Sequence, residues 1–145
     1  MWKTEYSAET SAAPAAVWGA LHALHSGVAL GENSDRFELH GPFAVGTELS
    51  VTPQGQDTMR SVITELVDSE VYADRTSFGG LTLLFRHTLQ PLASGGTRIT
   101  HQLEIDGGDA DQVGPELGPQ ISGDFPVAMG ELVAAAERRV TAPAP

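Results

Sequence analysis

The chain has no cysteine, and Lys3 is the only lysine among its 145 residues. Without thiols there is no disulfide framework, no thiolate nucleophile and no zinc–thiolate site. Eight basic side chains against nineteen acidic ones give a net charge of -11, with no basic run to offset it. Nucleic acid and anionic membrane surfaces repel such a protein, so neither is an expected partner. Long apolar runs are missing too: no segment approaches the ~18 residues that a membrane span needs. The opening MWKTEYSAET lacks the basic-then-apolar order of an export signal. A cytoplasmic protein is the expectation. There is no Gly-x-Ser-x-Gly, no phosphate-cradling glycine loop and no dinucleotide fingerprint. Nucleotide and nicotinamide chemistry are set aside, and no cofactor is expected.

What is present is enough apolar residue, 41%, for the core of one domain. That domain is expected over residues 1–140, with 141–145 a disordered tail. MWKTEYSAET alternates as an amphipathic strand. In SAAPAAVWGALHAL, Ser11 can cap, Pro14 suits a first helical turn, and Val17, Trp18, Leu21 and Leu24 make a stripe, so a helix is expected near 14–24. Residues 26–36 read as loop, TELSVTP as a short strand with Leu49 and Val51 on one face, and QGQD as a turn. TMRSVITELVD and VYADRTSF read as two strands whose mixed patterns leave the inward face of Glu65, Asp74 and Arg75 unassigned. The repeated Gly-Pro at 114–115 and 118–119 predicts a loop or broken helix able to move. Beyond it, Phe125, Met129, Leu132, Val133, Ala136 and Val140 predict a long closing helix that begins near Asp124 or kinks at Pro126.

The most informative stretch is LTLLFRHTLQPLASGGTRITHQLEI, residues 81–105. Its first arm puts Leu81, Leu83, Phe85, His87 and Leu89 on one face, and its second arm puts Ile99, His101, Leu103 and Ile105 on one face. Both histidines stand where the alternation calls for an apolar residue. Matching the two faces requires odd-numbered residues to pair, which excludes a two-residue turn at Gly95-Gly96. A loop of three or five residues centred near Ser94 or Gly95, with a glycine at positive φ, satisfies that parity. His87 then lies opposite His101 or diagonal to it, so both imidazoles can meet one small molecule.

Strand, short helix, consecutive antiparallel strands and a final amphipathic helix make an α+β order in which the helix packs on the sheet. With SAAPAAVW after the first strand, GPFAVGTELSVTPQG in the middle, GGTRITHQLEIDG in the last strand and the closing AMGELVAAAERR, the chain resembles the START-like (SRPBCC) helix-grip superfamily. The likeness runs over nearly the whole sequence and is strongest toward the polyketide cyclase/dehydrase branch. It implies a curved antiparallel sheet wrapped around the terminal helix, with a cavity between them for a small hydrophobic or aromatic, polyketide-like molecule. In the cyclase branch such a cavity orients the guest for ring closure or dehydration. HALHSGVALGENSDRF departs from the family: many relatives carry a tryptophan-rich segment there.

An imidazole exchanges protons near neutral pH, as cyclisation and dehydration require, so His87 and His101 are the candidate catalytic pair. The competing reading has each ring satisfied by a neighbouring hydroxyl or carbonyl. Trp2, Tyr6, Phe85, Leu103, Phe125 and Met129 are candidates to line the cavity, and Tyr72 to donate a hydrogen bond inside it. No metal is expected, because zinc catalysis wants about three protein ligands and no third inward candidate stands out. His22 and His25, three apart, read as favourable charge at a helix carboxyl terminus. Two further functions stay open: a carrier or sensor in which the histidines only hydrogen-bond the guest, and an interaction protein whose pocket its own side chains fill. Oligomeric state is not readable.

Overall fold

The computed structural model describes residues 1–141, with side chains described as far as Arg139. Thr141, expected as the first residue of the tail, is the last residue of the closing helix, while the rest of the expected tail and the place of Val140 on the helical stripe lie outside the described residues. The order of elements is β1 (Trp2–Thr10), α1 (Pro14–His25), β2 (Arg36–Leu39), β3 (Glu48–Thr52), β4 (Met59–Val67), β5 (Val71–Phe78), β6 (Leu81–Pro91), β7 (Thr97–Gly107), α2 (Ala110–Ser122) and α3 (Phe125–Thr141). The seven strands form one antiparallel sheet in the order β1-β7-β6-β5-β4-β3-β2. The α+β helix-grip architecture expected from the sequence is the one observed. None of the described helices is long and apolar enough to cross a membrane.

Proline at its first turn starts α1, but Ser11 does not cap it: Ala13 is the N-cap and no side chain bonds there. The entry is fixed instead by two threonines, with Thr97 Oγ1 donating to the Ala12 carbonyl and Thr10 Oγ1 accepting from the Ala12 N–H. Gly27, at φ +111°, lets the chain turn back at the other end so that the Val28 N–H reaches the Ala23 carbonyl. Val17 and Leu21 of α1 meet Met129, Leu132 and Ala136 of α3 over Leu49, Ile63, Leu89 and Ile99 of the sheet. Burying each such side chain contributes about 1.5–3 kcal/mol, which makes this face the main anchor of both helices.

Two strand joints set the register of the functional face. β5 and β6 are joined by Gly79-Gly80, both at positive φ, so Phe78 sits opposite Leu81, Asp74 opposite Phe85 and Tyr72 opposite His87. β6 and β7 are joined by a five-residue loop, 92–96, with Gly95 at φ +92°, which pairs His87 directly with His101. A β-bulge between Ile63 and Glu65 shifts the parity of β4, so Ser61 and Ile63 are buried before it while Leu66 packs against the core after it. That shift is why the pattern of this strand reads as mixed.

The Gly-Pro repeat is not a loop. It forms a continuous helix, α2, with Pro115 and Pro119 inside it. The glycines explain how it docks: a Cβ on Gly114 or Gly118 would stand 2.4 or 2.2 Å from the Trp2 side chain, so the absence of side chains lets the helix press onto β1. Packing of Val113, Leu117 and Ile121 with Leu83, Leu103 and Phe125 compensates the two backbone donors that proline removes.

Candidate functional site

Between the sheet and α3 lies a cavity of about 600 Å³. Its floor is the inward face of the strands: His101 from β7, Leu83, Phe85 and His87 from β6, Asp74 and Thr76 from β5, and Ser61 from β4. Phe125, Met129 and Leu132 of α3 roof it, and Leu117 and Ile121 of α2 close one side. Leu21, Leu24 and His25, from the end of α1, close another. A guest of drug-like size fits a space of this volume. The interior is therefore not plugged by its own side chains, which removes the filled-pocket form of the interaction-protein reading.

His87 and His101 stack face to face with 3.9 Å between ring centres, and Phe125 continues the stack on the far side of His101, also at 3.9 Å. Register brings the two imidazoles together, and α3 supplies the third ring. Removal from water strongly favours the neutral form of both. Burial pushes His101 down to about 3, against an ordinary 6.5. His87 is pushed well below 6.5 by burial first, then by the like-charged forms of His101 and His25. Protonating His101 in the empty site costs about 5 kcal/mol more than in water. His87 Nδ1 is the one buried side-chain N or O atom without a hydrogen-bond partner among the described residues. Such an orphan costs about 1–3 kcal/mol, which a ligand group bonding the ring offsets.

The remaining sequence candidates separate. Phe85, Phe125 and Met129 line the cavity. Trp2, Tyr6 and Leu103 do not. Trp2 lies against Gly114 and Gly118 of α2. Tyr6 pairs with His101 but stands on edge strand β1, where it is 38% exposed. Leu103 is fully buried in the cluster with Leu83 and Ile105. The alternation of β7 and β1 gives the correct face but not which end of it the helices cover. Tyr72 is also fully buried and does not touch the open space; its hydroxyl donates to Asp74 Oδ2 at 2.7 Å, and Asp74 lines the cavity.

Among the polar groups of the cavity that the sequence did not reveal, Asp74 and His25 are buried and ionisable. Burial raises the Asp74 carboxyl to about 7, with the Tyr72 hydrogen bond opposing that rise. The Gly79-Gly80 turn was the signal that fixes its face, since a two-residue turn pairs Phe78 with Leu81 and thereby turns Asp74 inward. His25 is buried, not a charged helix cap: its Nδ1 bonds the Leu21 carbonyl at 2.8 Å, its ring stacks on Tyr72 at 3.9 Å, and burial lowers it to about 4. His22 turns away to stack on Phe43, so the spacing of the two does not converge. His25 is thus the third inward histidine. Its ring centre is 5.9 Å from that of His87, and no group of three His, Asp or Glu able to hold a metal occurs among the described residues.

A terminal helix held against a seven-stranded antiparallel sheet, with a cavity between them, decides the fold. The chain has the START-like helix-grip fold. Solved structures agree over its length. The aromatase/cyclase Zhui of a Streptomyces species superposes with a TM-score of 0.75 at 16% identity, covering 97% of this chain and 96% of its own. A point mutant of norcoclaurine synthase from Thalictrum flavum, in complex with a transition-state analogue, gives 0.73 at 13% identity over 97% and 96%. Ara h 8.0201 gives 0.64 at 19% identity over 92% and 98%. No family model and no curated protein matches the sequence. At these identities the helix-grip likeness is one of fold, and the chemistry has to be argued from the cavity.

Proposed function

We propose that this helix-grip domain binds a small hydrophobic or aromatic, polyketide-like molecule between its sheet and α3, and that His87 and His101 move a proton on it in a cyclisation or dehydration. The observation that carries this reading is the stacked, neutral imidazole pair on the wall of a 600 Å³ cavity, with His87 Nδ1 unpartnered. Neutral imidazole is the form that accepts a proton, and Phe85 and Phe125 offer aromatic surface beside it. The cyclase and synthase among the structural neighbours support the same direction without fixing the substrate.

The carrier or sensor reading keeps a specific observation in its favour: burial makes both imidazoles weak bases in the empty site, which suits hydrogen bonding better than proton abstraction. Native mass spectrometry of freshly purified protein identifies the guest. Turnover and binding of that molecule are then measured separately on His87→Gln and His101→Gln. The enzyme reading expects turnover to fall by about 10²–10⁴ in at least one variant while binding changes little. Unchanged turnover in both, or no turnover in the wild type, leaves the carrier.

A further inference from the structure

The charges around the cavity are one-sided. Asp35, Asp74, Asp124 and Glu131 line it, and no lysine or arginine does among the described residues. Its three histidines, His25, His87 and His101, are all held neutral by burial. An anionic guest would therefore meet carboxyls and uncharged rings, with no cation to replace its hydration. Asp74 differs from the other three acids. It is buried on the sheet floor, its Oδ2 is occupied by the Tyr72 hydroxyl, and it sits directly opposite Phe85 in the β5–β6 register. Opposed residues have Cβ atoms about 4.5–5.5 Å apart, so a carboxyl and an aromatic ring stand side by side on the wall. Two pairs further along the same strands, and so on the same face, lie Tyr72 and His87, with the unpartnered Nδ1.

We infer that Asp74 is a specificity-determining residue: with Tyr72 donating to its Oδ2, its own carboxyl O–H donates a hydrogen bond to the carbonyl oxygen of a neutral aryl ketone whose ring lies on Phe85, and carboxylate-bearing analogues are shut out. The inference rests on the ligand-binding reading above and deepens it by naming the class of guest. A proton on Asp74 is what the site favours, since burial holds the group at about 7. A carboxylic acid donates a hydrogen bond only in that form. Asparagine is the informative replacement, because its amide N–H₂ can donate to the same carbonyl while its oxygen accepts from Tyr72.

The groups that face Asp74 and titrate are Tyr72 on its own strand, His87 on β6, His101 on β7 and His25 on α1. Asp35, Asp124 and Glu131 line the same cavity from outside the sheet. Of these, Asp35 is raised to about 6 and burial raises Asp124 as well. Asp74→Asn separates them from Asp74, because it leaves both in place and a pH dependence that came from either would persist in it.

The test is calorimetric titration of the purified protein with acetonaphthone, naphthoic acid and naphthalene, at about pH 6 and about pH 9. Wild type is expected to bind acetonaphthone at least tenfold more tightly than either naphthoate or naphthalene at the lower pH, and to lose tenfold or more of that affinity at the higher. Asp74→Asn is expected to hold its affinity at both pH values, and Asp74→Leu to bind the ketone no better than naphthalene. Wild type binding naphthoate as tightly as the ketone, or Asp74→Leu keeping the ketone preference while its thermal melt shows it folded, overturns the inference. If naphthalene binds and no ketone preference exists, only the role of Asp74 falls; if none of the three binds, the ligand-binding reading falls with it.

Discussion

His87 and His101 each replace an apolar residue on a face that the rest of the strand keeps apolar, and their cost is visible in how far burial displaces their protonation. Tyr72 and Asp74 carry a similar tension, with a hydroxyl–carboxyl hydrogen bond of 2.7 Å holding a group that would otherwise be an isolated buried acid. Tyr72→Phe removes the donor that lowers the Asp74 value. Its titration midpoint, read from the carboxyl carbon by NMR, is expected to move above about 7, and the protein is expected to lose about 1–3 kcal/mol of stability. A midpoint that stays put or falls means that Tyr72 does not support the carboxyl. At this scale the sequence disclosed the two strand histidines, because alternation alone exposes a polar residue on an apolar face. It did not disclose His25, whose ring is drawn under α1 by Leu21 and Tyr72, contacts that no helical spacing announces.

Among the elements, α2 is where local chemistry and tertiary packing disagree. Two prolines and two glycines in thirteen residues argue against a helix, yet the glycines are what let it close onto Trp2. Alanine normally stabilises a helix over glycine by about 1 kcal/mol, so an isolated-helix view expects Gly118→Ala to help. The contact with Trp2 reverses the sign: Gly118→Ala is expected to lower the melting temperature, and adding Trp2→Ala to recover part of the loss. A more stable Gly118→Ala single variant contradicts this docking. The same comparison shows what patterning can and cannot carry. The closing helix and the β6–β7 pair were legible, since their periods are uninterrupted. β2 has only four residues and went unseen between loops. The face of β4 stayed open because the bulge after Ile63 breaks its period of two, whereas the mixed pattern of β5 would have been resolved by the Gly79-Gly80 turn.

Across the whole molecule, buried groups of opposite kind set opposing limits on pH. His25, His87 and His101 have folded values below the 6.5 of the unfolded chain, so the unfolded state takes up protons first and stability is lost as pH falls below 6.5 toward about 4 for His25 and about 3 for His101. Asp74 runs the other way. Its folded value of about 7 exceeds the unfolded 3.8, so its contribution is full below 3.8 and is lost as pH rises to 7, amounting to about 4 kcal/mol. Between 3.8 and 6.5 the three histidines oppose Asp74, joined by Asp35 with its folded value of about 6, so stability is expected to rise with pH and to level off above about 7. In urea unfolding across the pH range, Asp74→Asn is expected to make the rise in stability between about 4 and about 7 steeper, because it removes the loss that opposes the histidines. A flat profile from about 4 to about 8 would mean that these groups are solvated in the folded protein.

The fold was the most legible level, because the order of elements limits how one helix can cover one sheet; the cavity was expected only through the resemblance, and its volume was not legible, because it depends on which side chains stop short. The most direct measurement is the ¹⁵N spectrum of the imidazole rings during titration with acetonaphthone near neutral pH. The account predicts that the His87 and His101 resonances shift together, with the chemical shifts of neutral rings, while exposed His22 and His40 stay still. Saturable binding that leaves both strand histidines unmoved would contradict it.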